Sequence, residues 1–149
     1  MKITGTDDLK GVLRFATNPE RQTENNRITL TVLDVEQIMG EGRIDPDEGK
    51  SEEARRVKRP LRKSSQDPAG NWDLVQGPYW VTYNETVEIP DGSSLILQPH
   101  EELMKNGLWH PTLVARDWAD VPGILLVVTA RGVRLMEGAP ISTGFIVQY

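Results

Sequence analysis

The chain of 149 residues contains no cysteine, only two phenylalanines and no long apolar run. Without cysteine it forms no disulfide, no iron–sulfur cluster, no thiolate-ligated zinc site and no thiol nucleophile. Its longest apolar run, residues 124–128, has five residues, whereas a membrane-spanning helix needs about 20. The N-terminal residues are charged and lack the apolar segment of a secretion signal. We therefore expect a cytoplasmic protein without a membrane partner.

Positively charged residues are fewer than acidic ones. The chain has 17 lysines and arginines and 22 acids, so its net charge is −5. Nucleic acids attract proteins through basic surfaces, so the bulk charge argues against a nucleic-acid partner. Residues 55–63 depart from this balance with six cations in nine residues, namely Arg55, Arg56, Lys58, Arg59, Arg62 and Lys63. Two interpretations stay open for this basic stretch: a solvated loop neutralised by nearby acids, or an anion-binding segment.

The first half of the chain predicts a helix, a strand and an irregular segment. Apolar residues at helical spacing after an acidic first turn predict a helix over residues 5–17. Residues 27–35 alternate apolar and polar side chains, which is typical of a half-buried strand. Residues 40–77 are rich in charge and poor in apolar side chains, which predicts a long irregular charged excursion.

Residues 78–149 form the predicted main β region of a single domain that covers residues 1–149. Short strand patterns recur at roughly eight-to-twelve-residue spacing and are separated by turn residues, which is typical of a β sandwich or barrel. Residues 124–128 do not alternate, so we expect both faces of that strand to be covered. The predicted fold class is mainly β with a short N-terminal helix.

Motifs that identify a catalytic centre are lacking. The two histidines are His100 and His110, and the second histidine that a zinc-protease motif requires after His100-Glu101 is replaced by Met104. The chain has neither a glycine-rich phosphate loop nor a Gly-x-Ser-x-Gly elbow. The residues taken one motif at a time therefore indicate no enzyme class, and a His/Glu metal site at His100-Glu101-Glu102 stays open as the less favoured alternative to ordinary surface residues.

The order of several segments carries more information than any one motif. Residues 79–90 read Tyr-Trp-Val-Thr-Tyr-Asn-Glu-Thr-Val-Glu-Ile-Pro and residues 103–107 read Leu-Met-Lys-Asn-Gly. Together with residues 26–32, 112–117 and 133–141, they resemble the dCTP deaminase / dUTPase superfamily, most closely its archaeal-type dUTPases. The resemblance covers residues 22–148 in outline and is most specific in the two segments quoted.

The resemblance implies a distorted β jelly roll (a β-clip) that assembles as a homotrimer, with sites for a deoxynucleotide ligand between subunits. The dUTPases of this superfamily hydrolyse dUTP to dUMP and pyrophosphate with Mg²⁺, and the deaminases convert dCTP to dUTP without a metal. The aligned segments give these candidate substrate-binding residues: His100, Glu101, Glu102, Lys105, Asn106, Trp109, Thr112 and Trp118.

The residues that the superfamily uses for chemistry are the ones that differ here. Its Arg-Ser-Ser phosphate contact is replaced by His100, Glu101 and Glu102, and two carboxylates repel a triphosphate. The strand that carries the deaminase's catalytic glutamate corresponds to residues 124–128, which contain no acid. Proton transfer in deamination needs such a group, so the sequence argues against a deaminase.

Asp117 is the candidate catalytic residue, because it matches the aspartate with which dUTPases activate water and hold the sugar. The alternative interpretation is an ordinary loop aspartate beside Arg116. A further hypothesis joins Glu101, Glu102 and Asp117 into a carboxylate cluster that binds a divalent cation at a subunit interface.

Three functional hypotheses follow. The favoured one is a catalytically degenerate trimer kept as a structural, regulatory or nucleotide-binding module. The alternative is an active dUTP (dNTP) pyrophosphatase in which Asp117 orients water, Mg²⁺ bridges the phosphates and the basic stretch replaces the missing arginine. The third, ranked below both, is a carbohydrate- or ligand-binding jelly roll, because the chain has four tryptophans, Trp72, Trp80, Trp109 and Trp118.

Overall fold

The computed structural model describes residues 1–63, 65–66 and 68–149 and is mainly β, with 48% strand and 17% helix. The strands are β1 (Lys2–Ile3), β2 (Leu13–Arg14), β3 (Ile28–Ile38), β4 (Arg56–Lys58), β5 (Asn71–Tyr83), β6 (Thr86–Val87), β7 (Ser93–Pro99), β8 (Leu108–Trp109), β9 (Leu113–Ala115), β10 (Ile124–Met136) and β11 (Pro140–Gln148). The helices are α1 (Thr6–Val12), α2 (Pro19–Gln22) and α3 (Glu101–Lys105), and 3₁₀ turns occupy Glu24–Asn26, Glu48–Lys50 and Trp118–Asp120.

A curled antiparallel sheet forms the body of the molecule. Its strand order is β8-β10-β5-β3-β11-β7-β9, with β1 added on β11 and β4 added on β3, while β2 and β6 pair separately. The long strand β3 belongs to both halves of the sheet, because it pairs with β5 on one side and with β11 on the other. This is the distorted jelly roll that the resemblance implies.

The core lies inside the curl and follows the alternation of the strands. Ile28, Leu30 and Val32 of β3 are buried, and a register shift after Val32 moves the buried position to Val35. Such a bulge turns the following side chains to the other face. In β10 the buried positions are Ile124, Leu126 and Val128, while the residues between them are half-buried. Both faces of residues 124–128 are predicted to be covered. The structure buries one face completely and leaves the other half-buried.

The N-terminal helix is shorter than predicted. It spans Thr6–Val12 rather than 5–17, because Leu13 and Arg14 pair with β6 as a strand and Phe15 takes a positive φ of 63°. The Thr6 amide donates to Asn26 Oδ1 at 3.0 Å, so a side chain distant in sequence supplies the hydrogen-bond partner of the first amide of the helix. Helix propensity alone does not reveal that Leu13 and Arg14, which lie within the predicted helix, pair with another strand.

The charged excursion, residues 40–77, is more regular than predicted. β4 pairs with the end of β3, and the main β region predicted to begin at residue 78 begins with β5 at Asn71. Trp72 and Leu74 are buried against the core, and their pairing with β10 extends β5 upstream. Ser64 and Asp67 of this segment lie outside the described residues.

Among the described residues, no helix is long and apolar enough to cross a membrane.

Candidate functional site

The residues aligned with the superfamily's phosphate contact lie at the start of α3. His100 is the N-cap residue, and its Nδ1 accepts a hydrogen bond from the Glu102 amide at 3.2 Å. The backbone of His100 is tied to β11 through a bond to the Ile141 carbonyl at 2.9 Å. Buried Leu103 anchors the helix, which ends at Lys105, and Gly107 turns the chain away from it with a φ of 76°. His100, Glu101 and Glu102 are thus held at a fixed place on the molecule.

These three residues line a cleft of about 740 Å³, which we call the α3 cleft. The opposite wall comes from the segment around α2, and it includes Arg21, Glu24 and Arg27. Sequence analysis missed the two arginines because no motif marks them and because they reach the cleft only through the tertiary fold. Their proximity to a strand with the superfamily's pattern was the only signal available.

Acidic groups outnumber cations in the α3 cleft. Its lining contains Glu24, Glu101 and Glu102 against Arg21 and Arg27. Glu102 pairs with Lys105 at 3.5 Å, but both side chains are more than half exposed, and such surface pairs contribute little. Within the described part of the chain, the side chains of Glu101, Arg21 and Arg27 have no hydrogen-bond or ion-pair partner.

Asp117 lies in a different cleft, of about 530 Å³, together with Arg116 and Trp118. Its Oδ1 accepts a hydrogen bond from the Ala119 amide at 3.0 Å, so the carboxylate caps the 3₁₀ turn Trp118–Asp120. Arg116 does not pair with it but lies over the Tyr149 ring at 5.6 Å. Within one chain, the candidate catalytic residue and the aligned phosphate contact are therefore in separate clefts.

The remaining candidate residues are dispersed. Lys105 and Asn106 close α3, where Asn106 Nδ2 donates to the Glu102 carbonyl at 2.8 Å. Thr112 is exposed, and it lines neither cleft. Within the residues that the structure describes, no three acidic, histidine or cysteine side chains converge as a metal site, so Glu101, Glu102 and Asp117 form no cluster inside one chain.

The tryptophans divide between packing and exposure. Trp72 is buried and donates to the Arg59 carbonyl at 3.2 Å, and Trp118 packs against Tyr83 with ring centroids 6.1 Å apart. Trp109 of β8 remains 45% exposed and lines neither cleft. The pair Trp109 and Trp118 therefore forms no common platform for a sugar ring within one chain.

Three of the six cations of the basic stretch pair with acids nearby. Arg56 pairs with Glu53 at 3.5 Å, Lys58 with Asp34 at 3.6 Å, and Arg62 with Asp73 at 4.0 Å. These contacts favour the solvated, self-neutralised interpretation over an anion-binding segment.

The second histidine belongs to a buried polar chain in the core. His110 is 2% exposed, with Nδ1 at 2.8 Å from the Pro111 carbonyl and Nε2 at 2.8 Å from Ser142 Oγ. A carbonyl only accepts, so Nδ1 carries the proton and Nε2 accepts from the Ser142 hydroxyl. Ser142 in turn lies 2.5 Å from the Tyr83 hydroxyl. Burial excludes substrate from this serine–histidine contact, so it is a structural network.

Burial lowers the pKa of His110 below its usual value, which predicts a pH-dependent stability. Below about pH 6.5 the unfolded chain takes up a proton that the folded chain resists, so the free energy of unfolding falls as the pH drops through that value. We expect the melting temperature to decrease from about pH 7.5 to 5.5, and His110→Gln to flatten that slope. Parallel slopes in the natural chain and His110→Gln would contradict the assignment.

Comparison with known proteins adds to this geometry. No family model matches the chain. The chain is 31% identical over 133 residues to the probable deoxyuridine 5'-triphosphate nucleotidohydrolase of Methanosarcina acetivorans, a match that covers 87% of this chain and 74% of that protein. A mutant dUTPase of Staphylococcus bacteriophage 80alpha superposes with a TM-score of 0.43 and 14% identity, over 76% of this chain and 88% of that one. On the archaeal match, which extends over most of both sequences, the chain belongs to the dUTPase-like superfamily.

Proposed function

We propose that the chain is a homotrimeric member of this superfamily that does not hydrolyse dUTP and serves as a structural or regulatory module. The observation that carries the proposal is the acidic lining of the α3 cleft at the position of the superfamily's phosphate contact. The trimer rests on the resemblance, which implies sites shared between subunits.

The charges of the α3 cleft oppose a triphosphate. His100, Glu101 and Glu102 occupy the positions of the superfamily's arginine and two serines, which offer a guanidinium and two hydroxyls. Glu101 has no cation partner among the described side chains. Two like charges about 4 Å apart repel by about 4 kcal/mol at the effective dielectric constant of a protein surface. Arg21 and Arg27 offset part of this repulsion. The lining still has three carboxylates against two guanidiniums, so the balance opposes triphosphate binding, and each 1.4 kcal/mol of net repulsion weakens it about tenfold.

The role of Asp117 in the turn also supports the proposal. Its Oδ1 is committed to the Ala119 amide, and a cap of this kind stabilises a turn by about 1 kcal/mol. A water-activating role would need a substrate held beside it. In one chain the aligned phosphate contact lies in the other cleft, so a second subunit would have to supply that substrate together with the missing cations.

Pyrophosphate release from a panel of deoxynucleoside triphosphates with Mg²⁺ tests the proposal. We expect no release from dUTP above the protein-free rate, and no change of rate or melting temperature in Asp117→Asn, because the asparagine Oδ1 accepts the same Ala119 amide and keeps the cap. Asp120→Asn, an exposed aspartate of the same turn, is the matched control. Turnover of dUTP that disappears in Asp117→Asn would instead establish the active pyrophosphatase with Mg²⁺. Sedimentation of the intact chain as a monomer would overturn the trimer.

A further inference from the structure

A cavity of about 1,020 Å³ lies away from both clefts, between the loop that includes residues 42–54 and the outward face of β3, β4 and β5. We call it the loop cavity. Its floor includes Glu36, Ile38, Trp80 and Thr82. The strand register places Glu36 opposite Trp80, on the face away from buried Val35. The volume matches small-molecule sites, which are mostly apolar with a few convergent polar groups.

The apolar walls of the loop cavity are held in place. Paired backbone hydrogen bonds of 2.8 Å between Arg43 and Glu52 fold the covering loop back on itself. That loop presents Ile44, which is completely exposed in the chain. Gly123, which follows the lining residue Pro122, lies so close to Trp80 that a Cβ there would stand 2.4 Å from the indole Nε1. The indole is therefore fixed along this edge, and Arg56 lies over the ring, so a flat ligand packs beside that guanidinium on a pre-formed surface.

The charges of the loop cavity select a cation. Arg56 lies over the Trp80 ring at 5.0 Å and pairs with Glu53, and Arg43 pairs with Asp45 at 2.8 Å. Both cations of the lining thus have acidic partners. Glu36 and Glu52, by contrast, have no hydrogen-bond or ion-pair partner for their carboxylates among the described residues.

A buried hydroxyl marks the same floor. Thr82 Oγ1 is inaccessible to solvent and has no hydrogen-bond partner in the described part of the protein. Buried polar groups are nearly always hydrogen-bonded, and a rotation of this side chain toward the cavity would let a polar atom of a bound ligand supply the missing partner. The loop cavity therefore combines an aromatic surface, two unpaired carboxylates and an unsatisfied hydroxyl.

We propose that the loop cavity binds a small organic ammonium ion with a flat apolar body. The body packs against Trp80 and Ile38, and the ammonium group donates to Glu36. The two unpaired carboxylates disfavour an anionic nucleotide at this site, so the proposal goes beyond the function proposed above and stands whether or not the α3 cleft is active.

Calorimetry of the intact chain with phenethylammonium tests this proposal, with 3-phenylpropionate as a ligand of similar shape and opposite charge. We expect the ammonium ion to bind at least about tenfold more tightly than the carboxylate. Glu36→Gln keeps the size of a partly exposed side chain, so the protein remains folded, and it should weaken ammonium binding about fivefold or more. Glu24→Gln, an acid of the α3 cleft, is the matched control and leaves the affinity unchanged.

Thr82→Val should weaken binding of tyramine, which offers a hydroxyl, more than binding of phenethylammonium.

Three outcomes would overturn the proposal. One is the absence of ammonium binding up to millimolar concentration, and another is equal affinity for the two ligands of opposite charge. The third is dissociation of the assembled protein by Ile44→Asp together with protection of Trp80 from a soluble quencher in the natural assembly. That result would show that the loop cavity is covered by a second copy of the chain.

Discussion

The triple variant His100→Arg/Glu101→Ser/Glu102→Ser is expected to bind dUTP about a hundredfold more tightly than the natural chain. The change removes two carboxylates from the α3 cleft and adds a guanidinium, which can grip a phosphate through two parallel hydrogen bonds. Relief of like-charge repulsion and one new charge-assisted contact together amount to about 3 kcal/mol, which is about a hundredfold in affinity. Arg21 and Arg27 on the facing wall then act in the same direction as the new arginine.

Calorimetric titration with dUTP and Mg²⁺ at one fixed salt concentration measures this gain. Glu41→Lys/Glu48→Ser is the matched control, because it raises the net charge by the same amount at exposed positions outside the α3 cleft. We expect that control to bind dUTP no better than the natural chain. A triple variant within twofold of the natural affinity would show that the acids of α3 are not what excludes a triphosphate.

The triple variant also separates binding from turnover. If tight dUTP binding returns without pyrophosphate release, the phosphate contact and the catalytic step have been lost independently. If release occurs as well, Asp117 works once a triphosphate is held, and the acids of α3 alone account for the proposed lack of turnover. Either result identifies the step at which this chain departs from its hydrolysing relatives.

Local patterns in the sequence predicted local structure well. The alternation of residues 27–35 gave β3, and the acidic first turn gave α1. The lost end of α1 and the upstream start of β5 depend on partners distant in sequence, namely β6 and β10. Periodicity carries no information about such partners, because strand propensity is mainly a measure of what a strand packs against.

The candidate site likewise has one part that local sequence could predict and another part that depends on contacts distant in sequence. His100, Glu101 and Glu102 belong to one short segment, so a motif could place them together. Asp117 could not be placed relative to them, because its distance from α3 is set by the curl of the whole sheet. The arginines of the facing wall reach the α3 cleft through a buried contact between Gln22 and Glu85, which joins residues far apart in the chain.

Replacement of Glu85 by leucine is expected to lower the free energy of unfolding by about 3–5 kcal/mol, as for a broken buried charged network. Glu85 is 1% exposed. Its Oε1 accepts from the Thr31 amide at 2.8 Å, and its Oε2 accepts from the Thr31 hydroxyl at 2.5 Å and from Gln22 Nε2 at 2.8 Å. Leucine leaves the amide and the Gln22 side chain as buried donors with a lost partner.

Urea unfolding at one protein concentration measures the loss, since association would otherwise shift the apparent stability. The matched control is Glu88→Leu, which removes an exposed glutamate that pairs with Arg14 at 2.9 Å. Exposed ion pairs contribute about 1 kcal/mol or less. A Glu85→Leu protein as stable as the control would show that the buried carboxylate is dispensable.

The same network connects stability to the α3 cleft, and the milder Glu85→Gln variant tests that connection. The Gln22 side chain joins Glu85 to the Thr29 carbonyl at 2.9 Å and, through its Oε1, to the Asn18 amide at 3.0 Å. A glutamine at position 85 places an amide group among donors, so at least one of these contacts breaks. We expect hydrogen exchange to speed up at Asn18 and Gln22 while the amides of β10 stay protected. Faster hydrogen exchange by the same factor throughout the chain would instead mean that Glu85 stabilises the fold as a whole and does not specifically stabilise the wall of the α3 cleft.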